Sequence, residues 1–302
     1  MTKTARTVSI AASFCLALSA GACKKKDTGG EAEKSTPPPA ETKPAETTPP
    51  AEAEKPATPG IKTEEITYNA GQTILNGFLA YPDDGQKHPG VLIVHEWWGQ
   101  NQYVRDRAKQ LAQLGYTAFA LDMYGKGKTT EHAADAQKFM EEVTKMKDQG
   151  LDRFKAAYDL LAKQAATKPN EIAAIGYCYG GGVVLNAARA GMPLSAVASF
   201  HGMLATKEPM KKGAFKGKIF VATGAADPFV PKQQVDAFKK EMDDAGADYE
   251  AVAYDGAKHG FTNPDATELG KANNIPVAYN EAADKGSWKK LMELFHTVWP
   301  QN

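Results

Sequence analysis

The stretch Gly176-Tyr177-Cys178-Tyr179-Gly180-Gly181-Gly182 follows directly on the apolar run Ile172-Ala173-Ala174-Ile175. A short apolar run bounded by glycine reads as a buried strand, and the glycine-rich continuation predicts a sharp turn into a helix. Gly-x-Cys-x-Gly between a strand and a helix is a nucleophile elbow with cysteine as its reactive residue. Glycine flanks the nucleophile because strand and helix approach too closely there for side chains. The elbow also sets the nucleophile at the N-terminus of the helix, where free N–H groups favour an anion. That suits a thiol, whose reactive form is the thiolate.

Cysteine usage points the same way. Of three cysteines in 302 residues, Cys15 and Cys23 fall near the N-terminus, and Cys178 stands alone in the remainder. Exported domains ordinarily pair their cysteines as disulfides, so a solitary one in an elbow reads as a nucleophile rather than a staple. A thiol redox role is disfavoured, because no second domain cysteine is present to resolve a sulfenic acid.

The first residues read as an export signal over positions 1–22. Lys3 and Arg6 precede the apolar run Val8 to Ala20, and Ala20-Gly21-Ala22 leads into Cys23. That run is shorter than the about 20 residues needed to span a bilayer. Cys23 resembles the acylated cysteine of bacterial lipoproteins, although Ala20 stands where a leucine is usual. Ordinary cleavage with Cys23 as a spectator is the other reading. Acylation would tie the chain to a membrane face without a spanning helix. Lys24, rather than an acidic residue, follows the cysteine and favours the outer membrane. Residues 23–60 are rich in Pro, Glu, Lys, Thr and Ala, too poor in apolar bulk to fold, and read as a disordered spacer. The expected location is the bacterial envelope, with the folded domain in the periplasm or at the cell surface.

Residues 61–302 have the length of one α/β domain. Charge is balanced, with 36 Lys+Arg against 36 Asp+Glu, and no basic stripe points to nucleic acid. His95, His201 and His259 are scattered without metal-ligand spacing, so neither a metal nor another cofactor is expected. A monomer is expected. Short apolar runs at Gly77 to Tyr81, Val91 to His95, Thr117 to Leu121, Ser195 to Phe200, Ile219 to Thr223 and Tyr249 to Tyr254 predict strands. Helices are expected around Val104 to Leu111, near His132 to Lys145 and Leu151 to Gln164, after Pro231 up to a stop at Gly246, and over Trp288 to Val298. The alternation predicts the α/β-hydrolase fold, a mostly parallel sheet flanked by helices on both faces.

Catalytic groups in such sheets sit beyond the carboxyl ends of the strands. Three candidates lie there in the order nucleophile, acid, histidine: Cys178, Asp227 after Gly224-Ala225-Ala226, and His259 after the strand ending at Tyr254. Such a triad lets the cysteine attack an acyl carbon, the histidine shuttle the proton, and the aspartate fix the imidazole. Asp255 is the rival acid, lying close to His259 in the chain. His296, in the last helix, reads as structural.

The domain resembles the dienelactone hydrolase family of cysteine hydrolases. The resemblance rests on His95-Glu96-Trp97-Trp98-Gly99, Asp122-Met123-Tyr124, the elbow, Gly224-Ala225-Ala226-Asp227, His259-Gly260-Phe261, and Tyr279-Asn280 with Trp288. It implies a small ester or lactone as substrate and a resting thiol beside Glu96, whose carboxylate could hold the cysteine proton. It also implies an oxyanion hole from the backbone N–H groups of Trp97 and Tyr179. Trp98 and Tyr124 would wall the pocket, and His95 would be structural. Family members acting on dienelactones use arginines to clamp the substrate carboxylate. Here the first such region reads Gly125-Lys126-Gly127-Lys128, and no arginine follows Arg189. Lys126 offers a point charge rather than a planar fork, which disfavours dienelactone itself. An envelope-anchored binding module on the same fold is the competing functional reading; a complete triad would be superfluous in it. If Cys23 carries the anchor, Cys23→Ser should move the protein from the membrane to the soluble fraction on cell fractionation, and unchanged partitioning would exclude acylation at that residue.

Overall fold

The computed structural model describes residues 60–146, 148 and 150–300. The segment read as a signal peptide, the candidate anchor Cys23 and nearly all of the spacer lie outside the described residues. Eight strands form a single sheet among them: β1 (Ile61–Ala70), β2 (Thr73–Pro82), β3 (His88–Val94), β4 (Thr117–Leu121), β5 (Thr167–Tyr177), β6 (Ala196–Phe200), β7 (Lys218–Gly224) and β8 (Asp248–Tyr254). Their order across the sheet is β1-β2-β4-β3-β5-β6-β7-β8. From β4 to β8 every neighbour is parallel, while β1 and β2 form a hairpin and β2 lies antiparallel to β4.

Helices α1 (Gln102–Gln113), α2 (Ala133–Thr144), α3 (Leu151–Ala162), α4 (Tyr179–Arg189), α5 (Lys232–Ala245), α6 (Ala266–Asn273) and α7 (Glu281–Val298) cover both faces. The pleat sends alternate side chains to opposite sides. Leu92 and Val94 join a core with Val143, Phe154, Val184 and Phe238 from α2 to α5. Val91 and Ile93 join the other core, with Val104 and Leu111 of α1 and Leu291 and Phe295 of α7. Strands buried on both faces read as continuous apolar runs, which is why the central ones are visible in the sequence. This is the expected α/β-hydrolase architecture.

The peripheral elements depart from expectation. β1 reads IKTEEITYNA, and of its residues only Tyr68 is fully buried. An edge strand half in water carries no apolar run to announce it. The short α6 was not expected, and α7 begins at Glu281 rather than Trp288 because the Asn280 side chain accepts from the Ala283 N–H at 3.0 Å. Gly246 does end α5, in the left-handed region at φ 65°.

One buried ion pair ties α4 to α5 and to the loop after β6. Arg189 grips Glu241 with two hydrogen bonds of 2.8 Å and donates a third to Leu204 O, while Glu241 accepts from the Met210 N–H. Both side chains are almost wholly removed from water. Removing one partner leaves the other charge buried and unpaired. Arg189→Met should therefore lower the unfolding free energy by about 3–5 kcal/mol in urea titration; a loss below about 1 kcal/mol would show the pair to be dispensable.

Candidate active site

Cys178 directly follows β5 and caps α4 with φ 52° and ψ −115°, a backbone conformation that side chains strongly disfavour. Its surroundings hold it there. The Cys178 N–H donates to Phe200 O at 3.0 Å and to His201 Nδ1 at 3.1 Å, and the Gly180 N–H donates to His95 O. The glycines leave the room this requires. A methyl group on Gly176 would lie 2.1 Å from Gly180 O, and one on Gly180 would lie 2.4 Å from Val94 O. The fixed elbow aims the thiol above the sheet's carboxyl edge.

Asp227 and His259 arrive on the loops after β7 and β8. His259 Nε2 lies 3.0 Å from Cys178 Sγ, and His259 Nδ1 lies 2.8 Å from Asp227 Oδ2. The other carboxylate oxygen, Asp227 Oδ1, accepts from the Phe229 N–H. Asp255, the rival acid, is exposed in the turn after β8 and takes no part in this chain of contacts. Both His259 and Asp227 are buried. Burial pulls the imidazole pKa down, but the Cys178 charge and the hydrogen bonds to Asp227 and Cys178 outweigh it and raise the value to about 10. The geometry therefore sets an imidazolium against the Cys178 sulfur, oriented by a carboxylate.

The loop after β3 supplies the facing wall. His95 Nε2 accepts from the Met123 N–H, so Nδ1 donates to Glu96 O and fixes that loop, the structural part expected of it. Among the described residues, neither the Trp97 nor the Tyr179 backbone N–H has an acceptor. Tyr124 is buried, donates to Trp97 O at 3.0 Å and stacks on Tyr179. Trp98 is buried against Trp97. Lys126 is exposed, and its ammonium makes no hydrogen bond or ion pair among the described residues. No cluster of three or more His, Cys, Asp or Glu among the described residues could hold a metal ion.

The family model described as the dienelactone hydrolase family matches residues 75–299. The chain belongs to the dienelactone hydrolase family. It is 26% identical to a putative carboxymethylenebutenolidase of Synechocystis sp. over 80% of this chain and 98% of that protein. A probable 2-oxo-3-(5-oxofuran-2-ylidene)propanoate lactonase of Bradyrhizobium sp. is 27% identical, over 71% of this chain and 86% of its own. Among solved structures, a dienelactone hydrolase-like promiscuous phosphotriesterase from metagenomic libraries is 30% identical, covers 79% of this chain and 98% of its own, and superposes with a TM-score of 0.73. Membership in this family makes the chain an ester or lactone hydrolase.

Glu96 Oε2 accepts from Asn263 Nδ2 at 2.6 Å, while the Cys178 thiol meets His259 Nε2. Burial pushes the Glu96 carboxyl up to about 7, against the pull of Asn263 and of the positive charges at His259 and Arg107.

Sequence reasoning also missed a buried polar layer beneath the triad. His201 packs its ring 5.3 Å from that of His259 and is held neutral by burial and by the neighbouring positive charges. With Nδ1 accepting from Cys178, its proton sits on Nε2, which donates to Thr262 Oγ1 at 2.8 Å. Thr262 Oγ1 in turn meets Tyr103 OH at 2.7 Å, and Thr262 O accepts from Arg107. The available signal was the polar pair Thr262-Asn263 directly after His259-Gly260-Phe261.

The Glu96 shift fixes a sign. An ordinary carboxyl near 4.5 in the unfolded chain and about 7 when folded means that the folded state holds the extra proton between those values. Stability must then fall as pH rises through that window. Glu96→Gln, which can still accept from Asn263, removes this liability. Its unfolding free energy relative to the parent should improve by about 1–3 kcal/mol between pH 5 and pH 8 in urea titrations. An equal difference at both pH values would refute the raised carboxyl.

Proposed function

We propose that the protein hydrolyses small carboxylic esters or lactones through a covalent acyl-thioester on Cys178. The observation that carries this reading is the unbroken chain from Cys178 Sγ through both nitrogens of His259 to Asp227. The relatives named as a carboxymethylenebutenolidase and a lactonase support an acyl–oxygen bond as the one cleaved.

The Cys178 thiolate attacks the carbonyl carbon, and the carbonyl oxygen takes the negative charge. That oxyanion is met by the Trp97 and Tyr179 N–H groups, which are aimed before the charge develops. The adduct collapses as the bond to the alcohol oxygen breaks, and His259 Nε2 gives its proton to that oxygen. Water then enters, gives a proton to His259 Nε2 and attacks the thioester carbon. The second adduct expels the thiolate and releases the acid. Asp227 keeps the imidazole in the tautomer that both half-reactions need and offsets its positive charge. Glu96, with a carboxyl poised near neutrality, holds a proton beside the His259 loop before substrate arrives. The exposed Lys126 leaves the substrate without an arginine-type carboxylate clamp, which favours neutral esters or lactones over dienelactone. Acylation at Cys23 would hold this chemistry in the bacterial envelope.

Turnover of p-nitrophenyl acetate tests the assignment. Cys178→Ala should lose at least about 10³-fold in kcat, and Asp227→Asn about 10³–10⁴-fold. Brief incubation with the ester followed by acid quench should show an acetyl mass on the Cys178 peptide. Undiminished turnover by Cys178→Ala would end the proposal.

A further inference from the structure

Of the glycines in and after the elbow, Gly176, Gly180 and Gly181 are forced by their neighbours, and Gly182 is not. A methyl group on Gly181 would sit 2.6 Å from Ser199 Oγ, whereas on Gly182 the nearest atom is Met203 O at an ordinary 3.4 Å. Gly182 lies inside α4, where glycine is the least favourable residue short of proline. Neither backbone geometry nor close packing asks for it.

Its missing side chain instead leaves space. A cavity of about 210 Å³ opens over Gly182, walled by Tyr179 and Val183 of α4, Met140 and Thr144 of α2, and Met203 after β6. A second cavity of about 380 Å³ shares Val183 and Asn186 with the first and continues to Arg189 and Ala190. Gly182 and Val183 lie three and four residues after Tyr179, Asn186 follows Val183 by three and Ala190 follows Asn186 by four, so all share one face of the helix. A groove therefore starts at the residue after the nucleophile and runs along α4. Its near half is apolar, and its far half turns polar at Asp148, Glu208 and Lys211. The opposite wall is braced where Arg189 and Glu241 hold Leu204 and Met210. Met203 stands 43% exposed at the mouth, an unbranched thioether suited to adapt to an alkyl chain.

We infer that this groove receives the acyl chain of the substrate, so that the enzyme takes esters with an unbranched alkyl acyl group of roughly six to eight carbons. The length follows from the helix rise of about 10 Å between Tyr179 and Asn186. The inference rests on the covalent mechanism above. In that mechanism the alcohol leaves toward His259 Nε2, beside Phe229, whose ring lies 5.1 Å from the imidazole. Cys178, His259 and Phe229 line neither cavity, and the groove meets the site through Tyr179, the residue bonded to Cys178 and the donor proposed for the oxyanion. That contact assigns it to the acyl half of the substrate.

The test is a series of p-nitrophenyl esters from acetate to octanoate with full-length protein, so that only the acyl chain varies. Each buried methylene can raise kcat/KM by up to about fourfold; hexanoate should exceed acetate by at least about tenfold. Gly182→Leu and Met203→Trp fill the groove from opposite walls, and each should lower the hexanoate-to-acetate ratio at least about fivefold. A parent ratio near or below one, or a ratio that neither folded variant moves, overturns the channel. Those results with turnover still dependent on Cys178 would leave the hydrolase reading standing, whereas Cys178-independent turnover would remove the reading on which the channel rests.

Discussion

The strained turn at Cys178 is the constraint that the rest of the structure serves. A residue with φ 52° persists only when its surroundings over-determine it. Here the determinants come from three strands: His95 O after β3 receives the Gly180 N–H, Phe200 O at the end of β6 receives the Cys178 N–H, and Gly176 closes β5 against Gly180. The central parallel strands are thus an anvil for one thiol. Because those strands are buried on both faces, the anvil is rigid, and the loops that carry Asp227 and His259 need only bring two side chains to a fixed point.

The polar layer below that point is unusual for a core. His95, Glu96, His201, Asp227, His259, Thr262 and Asn263 are all buried. Buried polar groups are tolerable when their partners are supplied, and here each histidine has both ring nitrogens engaged. Burial pushes two neighbouring imidazoles toward the neutral form, with different outcomes. It drives His201 neutral, while the thiol and Asp227 keep His259 protonated against the same desolvation. Two imidazoles 5.3 Å apart therefore favour different charge states, and the one that favours the positive form faces the Cys178 sulfur.

What the sequence made legible follows from burial. The central strands and the elbow were readable because burial on both faces writes a continuous apolar run, and because the elbow's glycines answer a clash that nothing else resolves. Cys178, Asp227 and His259 were readable because each follows such a strand at its carboxyl end. β1 was not, since an edge strand with one buried residue obeys water more than the core. His201 and Asn263 were not, because their partners lie 61 and 167 positions away in the chain. Lone polar residues in loops acquire meaning only through such distant contacts. The Glu96–Asn263 hydrogen bond was equally hidden, because it joins the loop after β3 to the histidine loop across most of the chain.

The two margins of the sheet share a trait with a consequence beyond catalysis. β1 presents Lys62, Glu64 and Glu65 to solvent, and β8 presents Asp248 and Glu250, the latter paired with Lys290. Unpaired backbone at a sheet margin invites another chain to add itself as a further strand, and charge placed there repels such an arrival. The charges on the outermost strands thus work against self-templated pairing at either margin of the sheet.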